Sequence, residues 1–384
     1  MQKMQKVRTA VKFVCVGAVL VLSGCSLFSR KAPSNPPAAL VEFKPSVAVR
    51  TVWTASVGKA DTYAFAPAAS GTSVYAASAD GTVNRIEAAS GVSIWRINAG
   101  MKLTAGVGTD GFIVAVAGEK GAVLAYDAEG KLRWKAQASS EILSSPAVGQ
   151  GLVIVRSLDN RITAFDAETG ERRWTAQRSV PSLTLRSAPG ILIVPQAAFV
   201  ALPGGRLSAL NLANGGPWWE MAIGDPRGTT ELERVADASG MPVLVGRDVC
   251  AVAYQGRVGC FDAGSGAAHW VKNFSSDVGV GVDDHNVYAA DERGAVSAFT
   301  LDNGTVVWRN AQLANRSLSS PVTIGATVAV GDFEGYIHFL SRQDGALVGR
   351  VRIDKSAVLP NAIVVGPNVI FQTKSGTLIA FATE

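Results

Sequence analysis

The side chains best suited to nucleophilic or metal chemistry in this chain are its four cysteines and three histidines, and their spacing decides against both uses. His269, His285 and His338 fall in separate segments, with no H-x₃-H pair that would put two imidazoles on one ion. No G-x-S-x-G elbow, phosphate-binding glycine loop or Cys–His pair is present. Asp80, Asp127, Asp159, Asp166 and Asp262 each stand beside a turn, and that recurrence points to carboxylates bonding their own backbone. Asp283-Asp284 and Asp332 to Gly335 match no calcium loop. The expectation is no catalytic residue and no metal site. Cys250 and Cys260 flank the Gln255-Gly256 turn on what should be adjacent strands. In an oxidising compartment they form a disulfide or remain two small buried thiols, and the sequence leaves both readings open.

Cys25 has a different chemistry. Residues 1–24 carry Lys3, Lys6, Arg8 and Lys12, then an apolar run Phe13–Leu22, then small residues, the layout of a secretory signal. Ten apolar residues span only about 15 Å as a helix, half a bilayer core. The string Leu22-Ser23-Gly24-Cys25 resembles the bacterial lipobox, whose cysteine is acylated and becomes the first mature residue. Ser26, rather than Asp, resembles the signal for export to the outer membrane. Residues 25–45, with Pro33, Pro36, Pro37 and Pro45, read as a lipidated cysteine on an extended tether. Without residues 1–24 the chain has 32 basic and 31 acidic side chains, so no field for nucleic acid is implied.

The elements that carry these residues repeat. A turn residue, usually Gly, is followed 13 or 14 positions later by Trp in six units: 81→95, 121→134, 160→174, 205→219, 256→270 and 294→308. Apolar residues alternate on both sides of each turn, as at Val153, Val155, Ile162 and Ala164. Period two about a tight turn is a β-hairpin. A seventh unit has Gly349 where Trp is expected, and an eighth stops at Phe381. Trp53 precedes the first turn and belongs to no unit of its own. It therefore completes the eighth. Residues 46–384 are expected to form an all-β, eight-bladed β-propeller of four-stranded antiparallel blades, closed by an N-terminal strand.

Two units depart from the frame. The distance from Trp to the next turn residue is 24–28 positions, except for 31 (174→205) and 37 (219→256). Extra chain in a rigid repeat goes to loops, where function concentrates. The first insertion holds Leu183, Leu185 and Arg186, apolar anchors beside a cation. The second holds several charges, among them Asp237.

The repeat resembles those of pyrroloquinoline-quinone dehydrogenases. With the lipobox, eight units and the segment Ser182-Leu183-Thr184-Leu185-Arg186, the whole chain resembles the BamB family. These are lipoprotein subunits of the BAM complex, the machine that folds β-barrels into the outer membrane. The resemblance implies a non-enzymatic scaffold without a cofactor, lipid-anchored on the periplasmic face. It also implies BamA as partner through Leu183, Leu185, Arg186 and Asp237, with Asp237 at the rim of the contact and Ser239 where the family commonly has a second Asp. Other BAM subunits, and nascent outer-membrane proteins along strand edges, are further expected contacts. The competing readings are a quinoprotein dehydrogenase, for which the chain offers no calcium ligand set or catalytic Asp, and a cell-surface adhesin.

Overall fold

The computed structural model describes residues 35–383 other than residue 180. The signal segment, Cys25, Ser26 and the start of the tether lie outside the described residues. Of the unit Met1–Pro37 only residues 35–37 are described, without regular structure. All that follows concerns the unit from Ala38 onward.

Thirty-two strands form eight antiparallel sheets of four. Seven are consecutive in the chain: blade I (68–98), II (108–137), III (147–177), IV (191–222), V (238–273), VI (280–310) and VII (322–352). Blade VIII combines Ile363–Val365, Asn368–Gln372 and Thr377–Thr383 with Val49–Ser56 as its outermost strand. Thr383 pairs with Val49 and Thr377 with Ser56, so the expected closure by the N-terminal strand is the one found. The second strands, such as Ser73–Ala77 and Ile113–Ala117, are buried throughout and rich in Ala and Val. Small side chains let neighbouring sheets approach, and the core is divided among the blade interfaces instead of filling one centre.

The recurring tryptophans join these interfaces. A one-residue bulge between the third and outermost strands lies just ahead of this position in every blade. Seven indole N–H groups each donate to a carbonyl of the next blade: Trp53 to Ala88, Trp95 to Ala128, Trp134 to Ala167, Trp174 to Leu212, Trp219 to Ala263, Trp270 to Leu301 and Trp308 to Arg342, at 2.6–3.0 Å. The ring needs a glycine beneath it. Gly170 has φ 75°, and a Cβ there would lie 2.6 Å from Trp134 Cδ2. Blade VII has Gly349 where the other blades have the tryptophan. This glycine faces the start of the closing strand, and a Cβ on it would sit 3.0 Å from Val49 Cγ2.

Cys250 and Cys260 are direct cross-strand partners in blade V, and a disulfide joins them. Turn carboxylates behave as read: Asp166 Oδ1 accepts from the Glu168 and Thr169 amides, and Asp262 from that of Ser265. Asp332, set aside as a calcium candidate, is ion-paired with Arg316 instead. Among the described residues no helix is long and apolar enough to cross a membrane.

Candidate partner-binding site

Strands alternate in direction, so every blade-to-blade crossover and every turn between second and third strands lies on one face of the ring. Both insertions are crossovers on that face: 178–190 leads from blade III to IV, and 223–237 from IV to V.

Leu183, at the tip of the first loop, is 47% exposed. Leu185 is half-buried and lines a small recess with Arg156, Leu158, Pro189 and Pro203. Arg186 turns toward the propeller axis, and its Nη2 meets Glu141 Oε2 of the preceding crossover at 2.5 Å. Tyr63 donates to the other oxygen of Glu141 at 3.5 Å. Arg186, Tyr63, Asp277 and Asn361 border a cavity of about 440 Å³ at the mouth of the axial channel. The channel itself, about 490 Å³, is lined by innermost-strand residues such as Val148, Ile193, Val243 and Ile363.

Asp237 is not on the surface. It is 2% exposed and lies beneath the first loop. Its Oδ2 accepts the Leu185 amide at 2.5 Å and its Oδ1 the Gly204 amide at 2.8 Å. One carboxylate thus fastens the crossover loop to a turn of blade IV. Burial raises the Asp237 carboxyl above its ordinary range, against the two amide bonds and the charge of Arg156. Arg156, at the end of a buried strand of blade III, is itself pushed down to about 10 by burial, with Asp237 opposing the shift. Among the described residues its Nε has no hydrogen-bond partner, and the nearby carboxylate offsets its burial.

The second loop is internally braced. Glu233 accepts the amides of Thr229 and Thr230 at 2.8 and 3.0 Å, and Arg234 donates to the Gly228 carbonyl. This frame presents Leu232, 72% exposed. The structure therefore exposes Leu183, turns Arg186 toward the axis with its side chain still in solvent, sets Leu185 half-inward and puts Asp237 underneath, all in one assembly. Sequence reading missed Leu232, Glu141 and Arg156. Leu232 was discoverable as an apolar residue flanked on both sides by charges, Glu231 and Glu233. The other two lie in regular repeat positions and carry no signal of their own.

Comparisons with known proteins cover most of the chain and agree with one another. The family model described as outer membrane protein assembly factor BamB matches residues 79–310 and 292–384. The outer membrane protein assembly factor BamB of Bordetella pertussis (strain Tohama I) is 46% identical over 367 residues, 95% of each chain. That of Burkholderia pseudomallei (strain K96243) is 44% identical over 375 residues, 97% of this chain and 98% of the other. Among solved structures, BamB from Moraxella catarrhalis superposes with a TM-score of 0.81 at 26% identity, over 87% of this chain and 100% of that one. Quinohemoprotein alcohol dehydrogenase from Comamonas testosteroni has a TM-score of 0.64 at 14% identity, over 87% of this chain and 76% of the other, a likeness of fold alone.

Proposed function

The chain belongs to the BamB family of outer membrane protein assembly factors, and on that premise we propose that it is a non-enzymatic scaffold of the BAM complex. It is anchored by lipid on Cys25 at the periplasmic face of the outer membrane, carried on a tether within residues 25–45. It binds BamA through the crossover face and supports insertion of barrel proteins. The observation that carries the family role is near full-length identity with curated assembly factors. What supports the location of the contact is the exposed Leu183 to Arg186 loop, pinned at its base and flanked by a second braced loop.

Leu183 and Arg186 are the solvent-exposed anchors, and Leu185 sets the loop's depth. A rigid apolar residue beside an arginine is the composition of an interface hot spot, worth about 2 kcal/mol or more on truncation. Arg186→Glu also places a carboxylate against Glu141 and so reverses the charge the partner meets. The test is co-purification from envelope extract. Arg186→Glu, or Leu183→Ala with Leu185→Ala, is expected to abolish recovery of BamA while circular dichroism stays at wild type. A charge reversal at Asp166, on a turn of the opposite face, is the control. Equal recovery with loop variants and control would place the contact elsewhere on the propeller.

A further inference from the structure

A second group of buried charges takes no part in that loop. It lies in blade VII. Asp332 and His338 are wholly buried and Arg316 is 3% exposed. Asp332 Oδ2 accepts from Arg316 Nε at 2.7 Å and from His338 Nε2 at 2.9 Å, while Oδ1 accepts the amides of Glu334 and Tyr336. With its proton on Nε2, His338 uses Nδ1 as an acceptor, and Arg350 Nε donates to it at 3.2 Å. The result is a linear relay, Arg316–Asp332–His338–Arg350, with a guanidinium at each end.

Each guanidinium turns its Nη1 onto the same piece of chain, while Arg316 Nη2 donates to Glu334 Oε2. Arg316 Nη1 donates to the Ala38 carbonyl at 3.0 Å, and Arg350 Nη1 to the Val41 carbonyl at 3.1 Å. Arg350 also lies over the Phe43 ring, 5.0 Å from its centroid. Backbone bonds secure the ends. The Ala38 amide donates to the Ala314 carbonyl at 2.8 Å, and those of Ser46 and Val47 to Val348 at 3.0 and 3.2 Å.

His338 and Arg350 are cross-strand partners. The arginine recurs at that position in blades I and VI, as Arg96 and Arg309, but its partner there is Asn84 or Ser297, and blades III and IV have Thr163 and Ser208, so the histidine is what sets blade VII apart. The blade that carries the relay is also the one with Gly349 in place of the interface tryptophan.

We propose that blade VII holds a docking site for the chain's own residues 38–47, recognised as an extended segment with one aromatic, and that this strap fixes where the membrane tether leaves the propeller. Ala314 and Arg316 belong to the crossover from blade VI to VII, so Ala38 is held on the face that carries the Leu183 to Arg186 loop. Twelve residues separate Cys25 from Ala38. At about 3.3–3.6 Å per residue, the lipid stands at most about 45 Å from that point. The membrane half of this inference rests on the anchoring proposed above, whereas the docking half does not.

Hydrogen exchange of the purified full-length chain tests the docking whether or not Cys25 is acylated. The Ala38, Ser46 and Val47 amides, the ones bonded to the propeller backbone, are expected to exchange at least tenfold more slowly than in a free chain. Phe43→Ala and Arg350→Gln should each remove most of that protection while peptides covering 327–331 keep theirs. Phe43 is half-buried on the strap itself, so its truncation leaves the propeller core intact. Free-chain exchange in the wild type, or full protection in both variants, would overturn the proposal.

Discussion

Asp237→Ala separates holding the partner loop from touching the partner. The substitution removes two acceptors for buried backbone, at 2.5 and 2.8 Å, and leaves the Leu185 and Gly204 amides without them. Each stranded donor costs about 1–3 kcal/mol. Arg156 also loses the opposing charge that offsets its burial. Against this, the variant no longer pays to desolvate a carboxylate that burial disfavours. The net expectation is about 2–4 kcal/mol. At ~2.1 cal/mol/K per residue a propeller of roughly 340 residues unfolds with an entropy near 0.7 kcal/mol/K, so the melting temperature should fall by about 3–6 °C. Recovery of BamA should fall with it, because the loop loses its footing. Asp237→Asn, which keeps one acceptor oxygen, should fall between. Arg186→Glu should lose the partner with no change in melting. Unaltered melting and binding in Asp237→Ala would refute the reasoning. Lost binding with unaltered melting would make Asp237 a direct contact.

Three further expectations follow. Cys25→Ala should move the protein out of the outer-membrane fraction when BamA contacts are also blocked; continued flotation with that membrane would exclude the lipid anchor. Deleting residues 46–58 removes the closing strand and the Trp53 link to Ala88, a loss of at least the ~3–5 kcal/mol of one buried tryptophan, so an unchanged melting curve would count against closure. Burial lowers His338 below its ordinary value despite Asp332, so the folded state favours the neutral ring. Its contribution is present above about pH 6.5 and is lost as pH falls from there through the folded value. His338→Gln should flatten that part of the stability profile, measured as the difference from wild type, and a parallel profile would show that His338 does not titrate there.

The ring was legible because its determinants are local. A positive-φ turn, a two-residue alternation and a tryptophan seated on a glycine all recur within each unit, and Trp53 standing outside the frame reveals the closure. The insertions were legible as lengths. Which of their side chains turn inward was not, since Asp237 meets Leu185 across 52 positions. Asp237 was expected at the rim of the contact from the family resemblance, which carries a residue type and not the direction of its side chain. The amide donors that pull it inward belong to backbone, which carries no residue-type signal. His338 likewise reads as one more strand residue until folding brings Arg316, Asp332 and Arg350 around it.

The seam in blade VIII has a consequence for biogenesis. Val49–Ser56 is among the first segments of the propeller to emerge during synthesis and Thr377–Thr383 is the last. A chain delivered N-terminus first presents the first strand ahead of seven whole blades and its partner. During that interval it is an unpaired edge, while blades I to VII can each complete their own hydrogen bonding. The strap must wait as well, because its blade VII acceptors are made late. The N-terminal strand is therefore the last part of the propeller to be secured, and an incomplete propeller would be most open to mispairing at that edge.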